Sequence, residues 1–152
     1  MRYTLDSSVA IKWVLPEIDS DKAIRLRDDI HGGVHKLIAP DVFPIEVAHA
    51  LTRAERQGRI PVGDAIVLWS DVMGTISNFA RSGVLLRRAI AVSSRHRVGV
   101  YDCLYVALAE RRKATLVTAD DRLVANLRPH FPFIVHLSAL PGGPGASVAP
   151  VP

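Results

Sequence analysis

Cysteine is almost missing from this chain: Cys103 stands alone among 152 residues. That excludes an intrachain disulfide framework and any multi-cysteine zinc or iron–sulfur site, and makes a reducing, cytoplasmic setting the expectation. Long apolar runs are missing too, since none approaches the ~18 residues of a membrane span. The N-terminal apolar stretch is broken by Asp6 and Lys12 and lacks the basic lead and small-residue cleavage site of a signal peptide, so neither secretion nor membrane insertion is expected. The six histidines are scattered, with no His-Glu-x-x-His pattern, and no internal repeat is visible.

What remains is an apolar and moderately basic chain. With 49% hydrophobic and 22% charged residues it can build a sizeable core, and its length fits one domain of roughly 100–200 residues. Nineteen Lys and Arg against fifteen Asp and Glu give +4, and fifteen of the nineteen cations are arginine. Arginine forks match phosphate oxygens, which points to a polyanionic partner; a merely solvated basic surface is the alternative.

Apolar periodicity and breakers predict short strands alternating with helices. Strands are expected at Arg2–Leu5, Leu37–Ala39, Val84–Leu86, Thr115–Thr118 and Phe133–Val135. Helices are expected at Ser7–Leu15, Asp19–His31, Val42–Gln57, from Pro61 to about Ile76, and at Arg87–Arg97, Asp102–Arg112 and Asp121–Leu127. This alternation predicts an α/β three-layer sandwich, a central parallel sheet flanked by helices, over residues 1–140. Residues 141–152, rich in Gly, Pro and Ala, are expected to form a disordered tail.

Ligands of open parallel sheets sit beyond the carboxyl ends of the strands, where two acids stand: Asp6 directly after the first strand and Asp120 after Leu116-Val117-Thr118-Ala119. Asp102 and Glu46 lie at the starts of helices that should begin on the same edge. Taken singly, Asp6, Asp102 and Asp120 could be helix N-caps, and Glu46 could pair with Arg53 on its own helix. Taken together, four carboxylates on one rim would repel by up to ~4 kcal/mol per close pair at an effective dielectric of 20, so a cation is expected among them. Carboxylate-only ligation suits Mg²⁺ or Mn²⁺ and argues against zinc. Such an ion activates water and neutralises a phosphoryl oxygen, which points to phosphodiester hydrolysis.

These stretches also carry a resemblance. Leu5-Asp6-Ser7-Ser8-Val9-Ala10-Ile11-Lys12-Trp13, Pro44-Ile45-Glu46-Val47, Tyr101 through Ala109 and Leu116-Val117-Thr118-Ala119-Asp120 resemble the PIN-domain ribonucleases, most nearly the VapC-type toxins of toxin–antitoxin pairs. The resemblance spans roughly residues 1–137 and matches each family acid, at Asp6, Glu46, Asp102 and Asp120. It implies a compact α/β fold, a Mg²⁺ or Mn²⁺ site and RNA as substrate. It also implies a cognate antitoxin that occupies the acidic groove and a homodimer built through the helices after Asp41. The Gly/Pro-rich tail departs from the family pattern.

On this reading Asp6, Asp102 and Asp120 are the metal ligands, and Glu46 orients a ligand water or completes a second site. Ser7 and Thr118 are candidates for contact with a phosphate oxygen, although hydroxyls near helix starts often bind backbone amides instead. Trp13, Phe43 and Trp69 could line a protein interface or fill the core. Two other functions stay open. A non-catalytic RNA-binding regulatory module would use the basic surface and treat the acids as caps. An aspartyl-phosphate phosphohydrolase would expect a second Asp where Ser8 stands.

Overall fold

The computed structural model describes residues 1–142; of the expected tail, residues 143–152 lie outside the described residues. The chain runs β1 (Arg2–Leu5), α1 (Ser7–Ile11), α2 (Ser20–His31), β2 (Lys36–Pro40), α3 (Phe43–Arg56), α4 (Asp64–Met73) and β3 (Phe79–Ala80). It continues α5 (Leu86–His96), α6 (Val100–Arg112), β4 (Thr115–Thr118), α7 (Asp121–Leu127) and β5 (Ile134–His136), with 3-10 turns at Ser82–Val84 and Leu137–Ala139.

All strand pairs are parallel, in the order β3-β2-β1-β4-β5. The α/β class expected from the sequence is therefore the one observed. The order reverses at β1: the chain steps outward to β2 and β3, then crosses back to β4 and β5. With right-handed crossovers, that reversal puts the connecting helices on both faces of the sheet. Accordingly α6 lies against β1, β2 and β4 with α5 outside it, whereas α1 lies against β1 and β4 and packs on α3.

Burial explains the sequence patterns. Tyr3, Thr4 and Leu5 of β1 are all buried, as expected for a strand covered on both faces, which is why it reads as continuous rather than alternating. Helix α6 buries seven consecutive residues, Cys103 to Ala109, because sheet and α5 enclose it on opposite sides. Trp13 and Phe43 belong to the core, Trp13 donating to the Ala23 carbonyl at 2.9 Å, while the half-buried Trp69 donates to the Pro44 carbonyl. Among the described residues no helix is long and apolar enough to cross a membrane.

Four elements differ from expectation by more than one residue at an end. The third strand is Phe79–Ala80 and not Val84–Leu86; Ala39 and Pro40 of β2 pair with it, and Val84 is exposed in a 3-10 turn. A two-residue edge strand is too short to show any period. Helix α1 is regular only to Ile11, after which successive turns carry the chain to Leu15. Helix α4 begins at Asp64, not Pro61, because Gly63 takes a positive φ of 97° and Glu55 of α3 accepts from the Gly63 and Ala65 amides. Helix α6 begins two residues before Asp102, which moves that acid from a cap position into the first helical turn.

Candidate functional site

The reversal of strand order makes β1 and β4 neighbours whose connections leave in opposite directions, and a crevice opens at their carboxyl ends. Leu5 is in register with Val117, and the Asp6 amide donates to the Val117 carbonyl at 3.0 Å. The exits of the two strands therefore lie side by side, with Asp6 on one and Asp120 on the other.

Asp6 is buried, and hydroxyls surround its carboxylate. Oδ2 accepts from Thr118 Oγ1 at 2.8 Å and Ser8 Oγ at 3.0 Å, and Oδ1 from Ser7 Oγ at 3.4 Å. It stands at the N-cap position of α1 but forms no side-chain cap hydrogen bond. Asp120 does cap α7, and with one oxygen: Oδ1 accepts from the amides of Arg122 and Leu123 at 2.9 and 3.3 Å. Capping thus explains half of one carboxylate out of three aspartates.

Thr118 is the joint between these two acids. Its hydroxyl donates to Asp6 and accepts from the Asp120 amide at 3.1 Å, and the residue is fully buried. Its hydroxyl is thus bonded on both sides, so Thr118 positions the two acids. Ser8 works in the same way, donating to Asp6 while accepting from the Ala119 amide. Ser7 is half-buried and lines the cleft described below.

Glu46, in the first turn of α3, does not pair with Arg53. Its Oε1 accepts from the Tyr105 hydroxyl at 2.6 Å, across from α6. Asp102, on that same helix, enters the centre from the opposite wall. Burial pushes its carboxyl up to about 6, and the charges of Asp6 and Asp120 add to the effect. Burial likewise pushes Glu46 up to about 7; the Tyr105 hydrogen bond opposes the rise and the charges of Asp6 and Asp102 increase it. Asp6 is raised by burial and by Asp120, against the hydrogen bonds from Thr118 and Ser8. No ion pair among the described residues includes any of the four.

Four acids from four separate segments therefore feel one another's charge with no cation to offset it. They do not close into a tight cage by themselves: among the described residues no three Asp, Glu, His or Cys side chains form a compact metal-binding group. The donor chemistry fits a hard divalent cation all the same, being carboxylate oxygen throughout, desolvated and short of positive charge.

This order of elements and acids agrees with a family match: the model of the PIN domain covers residues 3–126. The chain belongs to the PIN domain family. The matched span contains all four acids and stops before β5. Ribonuclease VapC3 of Pyrobaculum aerophilum is 29% identical over 129 residues, covering 81% of this chain and 92% of that protein. Ribonuclease VapC1 of Mycobacterium tuberculosis is 36% identical over 88 residues, or 57% of this chain and 65% of the relative. The crystal structure of PAE2754 from Pyrobaculum aerophilum superimposes with a TM-score of 0.67 at 22% identity, over 91% of this chain and 93% of that one, which establishes a shared fold.

Two clefts flank the acids of this PIN domain. The larger, of about 510 Å³, begins at Ser7, Ser8 and Ala119 and runs between α1 and α3 to Lys12, Arg53 and Arg59. Within it Glu17 holds Lys12 at 3.2 Å and Arg59 at 2.9 Å. The smaller, of about 210 Å³, is bounded by Asp102 and Asp120 together with Arg97 and Arg122. Cations thus stand on both sides of the negative centre.

Sequence reasoning missed Ser8 and Tyr105 as members of the site. Tyr105 looks like one more apolar residue of a buried helix. The available signal was its hydroxyl, since a fully buried tyrosine needs a partner, and Tyr105 lies one turn beyond Asp102.

Proposed function

We propose that this PIN domain is a metal-dependent endoribonuclease that hydrolyses RNA phosphodiester bonds and acts as the toxin of a toxin–antitoxin pair. The observation that carries the reading is the charge-deficient centre formed by Asp6, Glu46, Asp102 and Asp120, placed between two arginine-bearing clefts. The names of the VapC relatives support the same substrate class.

Asp6, Asp102 and Asp120 would hold Mg²⁺ or Mn²⁺. When bound, the ion supplies charge neutralisation at the phosphoryl oxygen and a lowered pKa for water. The remaining work belongs to the chain. Thr118 and Ser8 fix the Asp6 carboxylate so that Oδ1 stays turned toward Ser7 and the cleft. Asp120 spends one oxygen on α7 and keeps the other for the centre. Glu46, anchored through Oε1 by Tyr105, presents Oε2 as the hydrogen-bond acceptor that orients a water. Arg53 on one side, and Arg97 and Arg122 on the other, hold the flanking phosphates, which the acids alone would repel.

The deciding experiment is incubation of the purified protein with mixed RNA, with Mg²⁺ or Mn²⁺ and with EDTA. Cleavage that EDTA stops is the expected result. RNA binding without cleavage under every metal condition would replace this reading with the non-catalytic RNA-binding module. The phosphohydrolase alternative has a structural objection: Ser8, at the position of its general acid, is already bonded to Asp6 and the Ala119 amide. The reading also includes a cytoplasmic setting, a cognate antitoxin protein and a homodimer, for which co-purification from cells and sedimentation of the purified chain are the tests.

A further inference from the structure

A third cleft, of about 430 Å³, lies outside the acidic centre, between α5, the second half of α6 and the segment joining α7 to β5. Its wall is aromatic. The rings of His96 and His130 are 4.4 Å apart at an interplanar angle of 41°, His96 meets Phe131 edge-on at 5.7 Å, and Phe131 meets Phe133 at 5.9 Å. Arg88 lies over Phe131 at 5.8 Å while its fork is bonded to Glu110 at 2.8 and 2.9 Å. Arg95 is exposed and joins no ion pair among the described residues. The cleft therefore combines tilted and edge-on rings, of which His130 is exposed and His96 half-buried, with one cation, Arg95, outside any ion pair among the described residues.

The catalytic reading does not need any of these residues, yet they adjoin it. His96 lines this cleft, and the next residue, Arg97, lines the cleft that contains Asp102 and Asp120. The two clefts thus share the end of α5. Every nucleobase has a π-face, so aromatic rings bind bases with little regard to sequence, while arginines hold the connecting phosphates. Burial and the neighbouring His130, Arg95 and Arg88 hold the His96 imidazole below its usual titration range, which keeps it neutral while it stacks.

We propose that the His96–His130 cleft is a base-stacking subsite for single-stranded RNA, continuous with the acidic centre through Arg97. The proposal rests on RNA being the substrate. A duplex, whose bases are stacked within the helix, cannot offer a base to these rings, so the subsite selects single strands.

The test is fluorescence anisotropy with a single-stranded oligoadenylate RNA in EDTA, where no cleavage occurs. His130 is exposed, so His130→Ala leaves the fold in place, which circular dichroism verifies. It should weaken binding roughly five- to hundredfold, and His130→Phe, which keeps a stacking face, should restore most of it. Arg95→Gln should lower the slope of log affinity against log salt by roughly 0.7, one phosphate's worth on a single strand. The same RNA annealed to its complement should bind His130→Ala and the parent chain equally. Equal binding of the single strand by His130→Ala and the parent overturns the proposal, as does an equal loss for the duplex. Loss of EDTA-sensitive cleavage with the stacking effect intact would instead overturn the nuclease reading alone.

Discussion

The hydroxyl of Thr118 donates to Oδ2 of Asp6 at 2.8 Å, joining the end of β4 to the end of β1. The Thr118 hydroxyl oxygen in turn accepts from the Asp120 amide, so a single side chain sets the spacing of two acids that are 114 positions apart in the sequence. Thr118→Val keeps the shape and removes both bonds. It should cost about 1–3 kcal/mol in urea unfolding, because a buried carboxylate and a backbone amide each lose a partner. Thr118→Ser should recover most of the loss; a neutral Thr118→Val would mean that the bridge does not position the acids.

Tyr105→Phe removes the donor to Glu46 Oε1 and leaves the ring in the core. That hydrogen bond is what restrains the Glu46 carboxyl against burial, so its titration should move above the present value of about 7. Carboxyl-carbon NMR across a pH series reads the shift directly, and a titration that stays or falls contradicts the assignment. Stability should change by about 1 kcal/mol or less, since Glu46 is only half-buried and water can replace the donor.

Without divalent metal, the centre should make the protein less stable as pH rises. Asp6, Asp102 and Glu46 all bind their protons more tightly folded than unfolded. Their stabilising contribution is complete below the ordinary carboxyl range near 4 and is lost as pH climbs through about 6 for Asp102 and about 7 for Glu46. Thermal unfolding in EDTA should therefore give a lower Tm at pH 8 than at pH 5. Adding Mg²⁺ or Mn²⁺ at pH 8 should raise it, because a ligand that binds only the folded state stabilises that state. A Tm in EDTA that rises with pH across this window would contradict the electrostatic account.

Asp102→Asn separates stability from activity. The change preserves shape and removes one of the repelling charges, so the variant in EDTA at pH 8 should be as stable as the parent or more stable by about 1 kcal/mol, the worth of roughly one pKa unit of repulsion. RNA cleavage with metal should fall to background, as it should for Asp6→Asn. Undiminished cleavage in either purified variant rejects their assignment as ligands.

Much of the site could be read along the chain because two acids stand within two residues of strand ends. β1 and β4 are short apolar runs buried on both faces, and the acids just beyond them, Asp6 after Leu5 and Asp120 two residues after Thr118, inherit the rim of the sheet. Glu46 and Asp102 follow from the alternation of helices and strands, which returns each helix start to that rim. The Glu46–Tyr105 bond could not be read, since it joins residues 59 apart on helices that pack against different elements of the fold. Nor could β3, where a two-residue edge strand at Phe79–Ala80 leaves no periodic trace and Val84 draws attention in its place.

The sequence by itself determined the class of fold, the ends of β1 and β4 and the four carboxylates, because hydrophobic period and breaker residues act over a few positions and survive any global arrangement. Only the tertiary structure decided what each polar atom does. It turned Thr118 inward as a bridge, committed one oxygen of Asp120 to a helix and left the other, and set Glu46 against a tyrosine rather than an arginine. The physical reason is range: backbone preferences are local, whereas hydrogen bonds and desolvated charges depend on distances between segments that meet only when the sheet is assembled.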